Sequence, residues 1–227
     1  MIKNSKLPYY TTNSEFVDVI IKSFDNISDN IISKYYLFGI DLGLKKTGVA
    51  FFNFSSKIIL PNGVFDTNYF LNDYNQSLNL DKISIQKTNK NTEYRKEKLL
   101  NKSIYYNKQL LINKKNNKNY KNFNEIFNNK EIIGIIVGSA KKLDYNGIPN
   151  ITDIENNSFF IHIKFASFIK KLYPNIVLTL YDERFTTCMA HTIMKEYGIK
   201  KRYENDDAIA ASIILEGFYN SYLKNMK

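Results

Sequence analysis

The 227-residue chain has no tryptophan, one cysteine, two histidines, four prolines and nine glycines. A lone thiol, Cys188, cannot close an internal disulfide, so stability must come from an apolar core, and the chain fits a reducing compartment. Two histidines and one cysteine also exclude a structural zinc site of the usual four-ligand kind. No stretch approaches the roughly 18 uninterrupted apolar residues that a membrane-spanning helix needs, so no membrane partner is expected. Residues 1–34 contain no arginine and carry Glu15, Asp18, Asp25 and Asp29. That fits neither a secretory leader nor an Arg-rich transit peptide. The expected location is cytoplasmic, with an organelle as the alternative.

What the chain does have is enough apolar material, 44% with 15% aromatic, to bury a real core. Its formal charge of +10 hints at a polyanionic partner but is unevenly placed. Residues 72–130 hold 13 basic and 5 acidic groups, whereas the rest of the chain holds 19 and 17. Lys, Asn, Ile, Phe and Tyr are the abundant types, and A/T-rich codons encode all five. Part of the basic balance therefore reflects composition bias.

Segment 1–34 reads as a helical extension, since Phe16, Val17, Ile20, Ile21, Phe24 and Ile27 recur at helical spacing. Residues 35–227 read as one α/β domain interrupted by a Lys/Asn-rich polar insertion at about 72–130, with room for a core helix at one of its edges. The apolar run 35–40 predicts a buried strand closed by Asp41 and Gly43. A second strand follows at 48–54 and a third begins at 57–60, which implies an antiparallel three-strand meander. After the insertion come a strand at 132–137, a helix at 159–172 ending before Pro174, and a strand at 176–181. A helix capped by Thr186 or Thr187 then runs to Tyr197, and a last one runs from Asp206-Asp207 through Tyr222. The sum is a mixed sheet, a meander plus two parallel strands, flanked by helices.

In such sheets ligands gather beyond the carboxyl ends of the parallel strands. Three acidic positions fall there: Asp41 after the first strand, Asp182-Glu183-Arg184 after the last, and Asp206-Asp207 at the start of the final helix. Each alone is ordinary: a turn residue, a self-paired turn, a helix cap. Together they would repel one another unless a cation lay between them, and hard oxygen donors suit Mg²⁺ or Mn²⁺. One ion or two remain open.

These residues also carry a resemblance. The stretch Gly39-Ile-Asp-Leu-Gly-Leu-Lys-Lys-Thr-Gly-Val-Ala50 is similar to the opening motif of the YqgF/RuvX family, which has the ribonuclease H-like fold. Glu131-Ile-Ile-Gly-Ile-Ile-Val-Gly138 resembles its central strand, and Tyr181-Asp-Glu-Arg-Phe-Thr-Thr187 its Asp-Glu-Arg motif. Asp207-Ala-Ile-Ala-Ala-Ser-Ile-Ile-Leu-Glu216 resembles its closing helix. The resemblance covers about 36–70 and 131–223. It implies a metal-dependent nuclease for structured nucleic acid, acting in precursor 16S rRNA end processing or Holliday junction resolution, with RNA processing the favoured branch.

Carried over position by position, the resemblance implies catalytic roles for Asp41, Glu183, Asp182 and Asp207. It gives Mg²⁺ or Mn²⁺ to Asp41, Glu183 and Asp207, with Glu183 preferred over Asp182 as direct ligand. Lys45, Lys46 and Arg184 would meet the nucleic acid, and Arg184 could instead pair an acidic neighbour. Lys141, Lys142, Lys200, Lys201 and Arg202 could extend a basic track. The partner is RNA or branched DNA, and the chain acts as a monomer or homodimer. His162 reads as partly buried structure, His191 as a minor candidate for substrate contact, and Cys188 as a small core filler. The chain departs from the family after the central strand. The usual Gly-Leu-Pro is replaced by Gly138-Ser-Ala, and Asn146-Gly147 stands where Asp-Gly is expected. Two other readings are an inactive nucleic-acid-binding module of the same fold and a phosphate-binding ATPase of the actin-like or sugar-kinase-like class. The latter requires two such domains, which the core does not supply.

Overall fold

The computed structural model describes residues 7–24, 33–68, 70–71, 131–155, 158–184 and 206–224. The tract at 72–130, the helix expected up to Tyr197 with Cys188 and His191, and the run Lys200-Lys201-Arg202 lie outside the described residues.

Five strands form one sheet: β1 (Tyr35–Leu42), β2 (Lys46–Asn53), β3 (Ile58–Asp66), β4 (Glu131–Ser139) and β5 (Val177–Asp182), in the order β3-β2-β1-β4-β5. The first three pair antiparallel, β1 pairs β4 in parallel, and β4 pairs β5 in parallel. This is the meander plus two parallel strands expected from the apolar runs, in the ribonuclease H-like arrangement. The helices are α1 (Asn13–Phe24), the short α2 (Ile151–Glu155), α3 (Phe160–Leu172) and α4 (Asp206–Phe218), the last continuing as a π-turn at Tyr219–Leu223.

Strand alternation splits the core into two layers. Phe38, Ile40, Val49, Ile135, Val137, Leu178 and Leu180 face α3, where Phe165, Ala166 and Ile169 meet them. Leu37, Ala50, Phe52 and Ile136 face the other way, against Phe16 and Ile20 of α1 and Ala211, Ile214, Leu215 and Phe218 of α4. Alanines let α4 lie close on the sheet. A side chain at Gly48 would collide with the Asp207 carbonyl, so the absence of one there seats the first turn of α4 directly on β2.

Helix α1 starts with a capping box: the Glu15 amide donates to Thr12 Oγ1 (3.2 Å) and the Thr12 amide to Glu15 Oε2 (2.9 Å). Just before it, Thr11 bridges Thr179 in parallel and its amide donates to the Leu178 carbonyl at 2.8 Å. The chain's first described segment thus extends the sheet at β5 before the helix crosses the α4 layer. Phe16 is fully buried, edge-on to Phe218 at 5.5 Å.

Asn13, 3% exposed, joins four elements. Its amide donates to the Asn146 carbonyl (2.9 Å) and its Nδ2 to Tyr222 Oη (3.0 Å). Its Oδ1 lies 2.7 Å from the Thr179 hydroxyl. Tyr222 Oη in turn donates to the Tyr145 carbonyl at 2.8 Å. The Asn146-Gly147 loop is thereby tied to the N-terminal segment. Asp144 Oδ1 closes that loop by accepting from the Asn146 and Ile148 amides.

Candidate active site

Alternation also decides where the acidic side chains go. Asp41 belongs to the odd-numbered series of Leu37 and Gly39 on β1, the face that α4 covers. Glu183 follows Tyr181 on that face at the end of β5, where its amide is held by the Ser139 carbonyl at 3.0 Å. Strand β4 lies between the two. Its Gly138 has no side chain, and a Cβ there would run into Glu183 Oε2 and the Ile214 methyl. The missing side chain is the slot through which Glu183 reaches inward across β4. Helix α4 brings Asp207 from above, its first turn fixed at Gly48.

The electrostatics follow from this crowding. Burial pushes the Asp41 carboxyl up to about 7, the Asp207 charge adds to the rise, and Lys46 offsets part of it. Burial pushes Glu183 up to about 8, with Asp41 and then Asp182 adding like-charge repulsion. Glu183 Oε2 is buried and has no hydrogen-bond partner. Its sequence neighbour behaves differently. Asp182 accepts from Arg184 Nε at 2.9 and 3.0 Å and from the Arg184 amide at 3.1 Å, forming a closed, exposed turn.

Two side chains in and beside the site carried no such role in the sequence reading. Lys46, expected to meet nucleic acid, reaches Asp207 Oδ2 at 2.9 Å, a charge contact outside hydrogen-bond alignment. Strand alternation holds the signal for it: Lys46 shares the face of Gly48 and Ala50, whereas Lys45 does not, and Lys45 is exposed in the β1–β2 turn. The second is His162. Read as partly buried, it is 7% exposed, and its Nε2 donates to the Gly138 carbonyl at 2.9 Å, bracing the peptide beneath Glu183. Its Nδ1 is buried with no partner, and burial lowers its pKa to about 4. Lys141 and Lys142 are exposed, and Lys141 lies 3.8 Å from Asp153.

Asp41, Glu183 and Asp207 are therefore gathered on one face at one end of the sheet, and Asp182 is turned to Arg184. Among the described residues, no three His, Cys, Asp or Glu side chains stand close enough to form a ready cage for a metal ion. What the site has is an excess of negative charge on partly buried side chains and an oxygen-only donor set. The same arrangement can hold a proton at neutral pH or accept a hard cation.

Comparison with known proteins gives this arrangement a context. The family model RuvX, described as Holliday junction resolvase, matches residues 101–221, more than half of the chain. The match begins within the tract read as an insertion and ends in the π-turn after α4, so it includes Glu183 and Asp207 but not Asp41. A protein of Rickettsia canadensis named "Putative pre-16S rRNA nuclease" is 39% identical over 93 residues, covering 40% of this chain and 54% of the relative. Relatives of the same name from Parabacteroides distasonis and Rickettsia bellii are 34% and 42% identical, over 38% and 34% of this chain and 59% and 52% of their own lengths. The chain spans a little over half the length of the curated relatives it matches. Among the described residues no helix is long and apolar enough to cross a membrane.

Proposed function

Because the chain belongs to the RuvX family, we propose that it is a nuclease hydrolysing phosphodiester bonds of structured nucleic acid. In this reading Asp41, Glu183 and Asp207 hold Mg²⁺ or Mn²⁺, and precursor 16S rRNA is the first substrate class. The observation that carries the proposal is Glu183 Oε2, a buried carboxylate oxygen without a partner, in a group whose pKa is raised by burial first and by Asp41 next. Two crowded, partly buried carboxylates persist at neutral pH only with a proton or a cation to balance them. Their oxygens are the donors that hard divalent ions prefer.

Asp41, Glu183 and Asp207 would hold the divalent ion, which would supply water activation and offset charge on the departing oxygen. The chain's own residues supply the positioning. Asp41 and Glu183 are held by strands either side of β4, and Gly138 leaves the gap that lets one approach the other. Asp207 rides on a helix whose first turn cannot shift away from β2 without losing its seat at Gly48. This reading gives phosphate contact to Lys45, exposed in the β1–β2 turn, and Arg184, 45% exposed beyond β5.

The test incubates purified protein and Mg²⁺ with precursor 16S rRNA and, separately, with four-way DNA junctions, beside an Asp41→Asn control. Mg²⁺-dependent cutting of the RNA by the wild type and none by the control is expected. The family's description makes the four-way junction the second substrate, and cutting confined to it would move the assignment there. Equal cutting by wild type and control would remove the enzymatic reading, and tight binding without cutting would favour the inactive module.

A further inference from the structure

The loop that leaves β4 after Ser139 holds Tyr145, whose side chain is 82% exposed, against 55% for Leu44, the next most exposed large apolar or aromatic side chain among the described residues. The backbone around Tyr145 is nonetheless pinned. Asp144 Oδ1 accepts from the Asn146 and Ile148 amides, and the Gly147 amide donates to the Asp144 carbonyl at 3.0 Å. Tyr222 Oη donates to the Tyr145 carbonyl, and the Asn13 amide to the Asn146 carbonyl, a main-chain contact that survives loss of the Asn13 side chain. Leu143 bridges Pro149, and both are buried. A fixed backbone thus presents a bare aromatic ring, and a tyrosine gives up little conformational entropy when something covers it.

The surroundings select what covers it. The loop departs where the Ser139 carbonyl holds the Glu183 amide, and at Gly147 it returns against the Leu180 carbonyl. It therefore stays at the end of β5 that carries Glu183. Lys141 and Lys142 are exposed in the same loop, and Arg184 is exposed beyond the strand. Against them, Lys141 has Asp153 at 3.8 Å, an exposed and screened neighbour, and the Asp144 carboxylate is engaged by two amides. A ring with cations beside it matches a base and its phosphates. We infer that Tyr145 is a stacking platform for an unpaired nucleotide of the substrate, with Lys141 and Lys142 meeting its phosphates. The inference rests on the nucleic-acid reading proposed above and narrows it. Bases in a duplex keep their faces stacked on one another, so the platform serves single-stranded substrate.

The test exploits the absence of tryptophan from the chain. Tyr145→Trp installs a single indole at the platform. Leu172→Trp installs one at an exposed position in the last turn of α3, just before the amino end of β5 and so at the opposite end of the sheet. Each full-length variant is titrated with a single-stranded RNA of about ten nucleotides and with a duplex of the same length. Ca²⁺ replaces Mg²⁺, and anisotropy of labelled RNA reports binding separately. Quenching of the Tyr145→Trp indole by the single strand, and not of the Leu172→Trp indole, is expected. Tyr145→Ala should weaken single-strand binding about tenfold and leave duplex binding nearly unchanged, while Tyr145→Phe matches the wild type. Single-stranded RNA that binds without quenching the Tyr145→Trp indole, or that binds Tyr145→Ala as it binds the wild type, overturns the role of Tyr145 and leaves the nuclease reading standing. Binding confined to the duplex or to a four-way DNA junction does the same. Tyr145→Trp emission that shifts with protein concentration alone assigns the ring to a contact between copies of the chain and overturns the platform. No binding of either RNA or of the junction by the wild type overturns the nucleic-acid reading and this inference with it.

Discussion

Strand β5 carries two buried polar clusters, one beside its middle and one just past its end, and they are opposite in kind. At Thr179 the partners are complementary: Asn13 accepts from one side and donates to the other, and Tyr222 passes the chain on to the Tyr145 carbonyl. At Glu183 the neighbours are like-charged, one oxygen accepts nothing, and the group is held by position alone. A satisfied buried network lowers the energy of the fold, whereas crowded carboxylates raise it and persist because rigid strands leave them no other place. The first cluster reads as structure and the second as chemistry. Substitutions in the two should therefore move different observables.

The largest effect is expected at the crowded cluster. Asp41→Asn or Glu183→Gln should lower Mg²⁺-dependent cleavage on the order of a thousandfold, while urea unfolding at neutral pH shows stability unchanged or raised. The pH response sharpens this. Both carboxyls titrate higher in the fold than unfolded, at about 7 and about 8. In metal-free protein their stabilising share is complete below pH ~4 and is lost as pH rises through those values. Either substitution should flatten that alkaline decline. Loss of stability with either variant at pH 7 would erase the distinction between the clusters.

His162 lies behind the second cluster and has the opposite sign. Its folded value of about 4 is below the ordinary 6.5, because the ring is buried and a proton on Nδ1 would find no acceptor. Its contribution is complete above pH ~6.5 and is lost as pH falls toward 4, a change of roughly 3 kcal/mol at most. His162→Gln keeps a donor for the Gly138 carbonyl and does not titrate. Unfolding midpoints compared at pH 7 and 4.5 should therefore drop less in the variant than in the wild type. Equal drops would place the acid sensitivity elsewhere.

The clusters also differ in how far the sequence discloses them. Apolar runs located β1, β2, β4 and β5 to within a few residues, since a buried strand must be apolar on both faces whatever its neighbours, and they found only the start of the half-exposed β3. Asp41 and the Asp182-Glu183 pair were found where apolar strands stop and Asp206-Asp207 where the last helix starts, and it was the family resemblance that singled out Asp41, Glu183 and Asp207 among them. Lys46 was expected to face nucleic acid and faces Asp207, a pairing visible only through the two-residue alternation along β2. The N-terminal helix was legible from its spacing: its described part runs from Asn13 to Phe24, and Ile27 lies outside the described residues. The Thr11–Thr179 bridge and the Asn13 network were not legible. A hydrogen bond between residues more than 160 apart leaves no periodic trace in the chain.

Next in size is the satisfied cluster itself. Asn13→Ala removes a buried side chain serving Thr179 and Tyr222 and leaves both without that partner, at a cost of about 2 kcal/mol. Measured by urea unfolding, the loss should appear with cleavage per folded molecule unchanged. A large fall in cleavage with intact stability would mean that the loop at Asn146-Gly147, held by Asn13, shapes the substrate groove.

The smallest effect belongs to the pair that most resembles the site in sequence. Asp182 adjoins Glu183, yet its charge is met by Arg184 in an exposed turn, and solvent-screened pairs of this kind add little to stability. Asp182→Asn should barely move the urea midpoint and should lower cleavage only a few-fold, by releasing Arg184 and removing one repulsive neighbour of Glu183. Side by side, Asp182→Asn and Glu183→Gln differ by one position along the chain and by opposite faces of one strand. If the two lose cleavage equally, strand alternation does not select the acidic residue that works, and the placement of Glu183 over Gly138 carries no meaning for the chemistry.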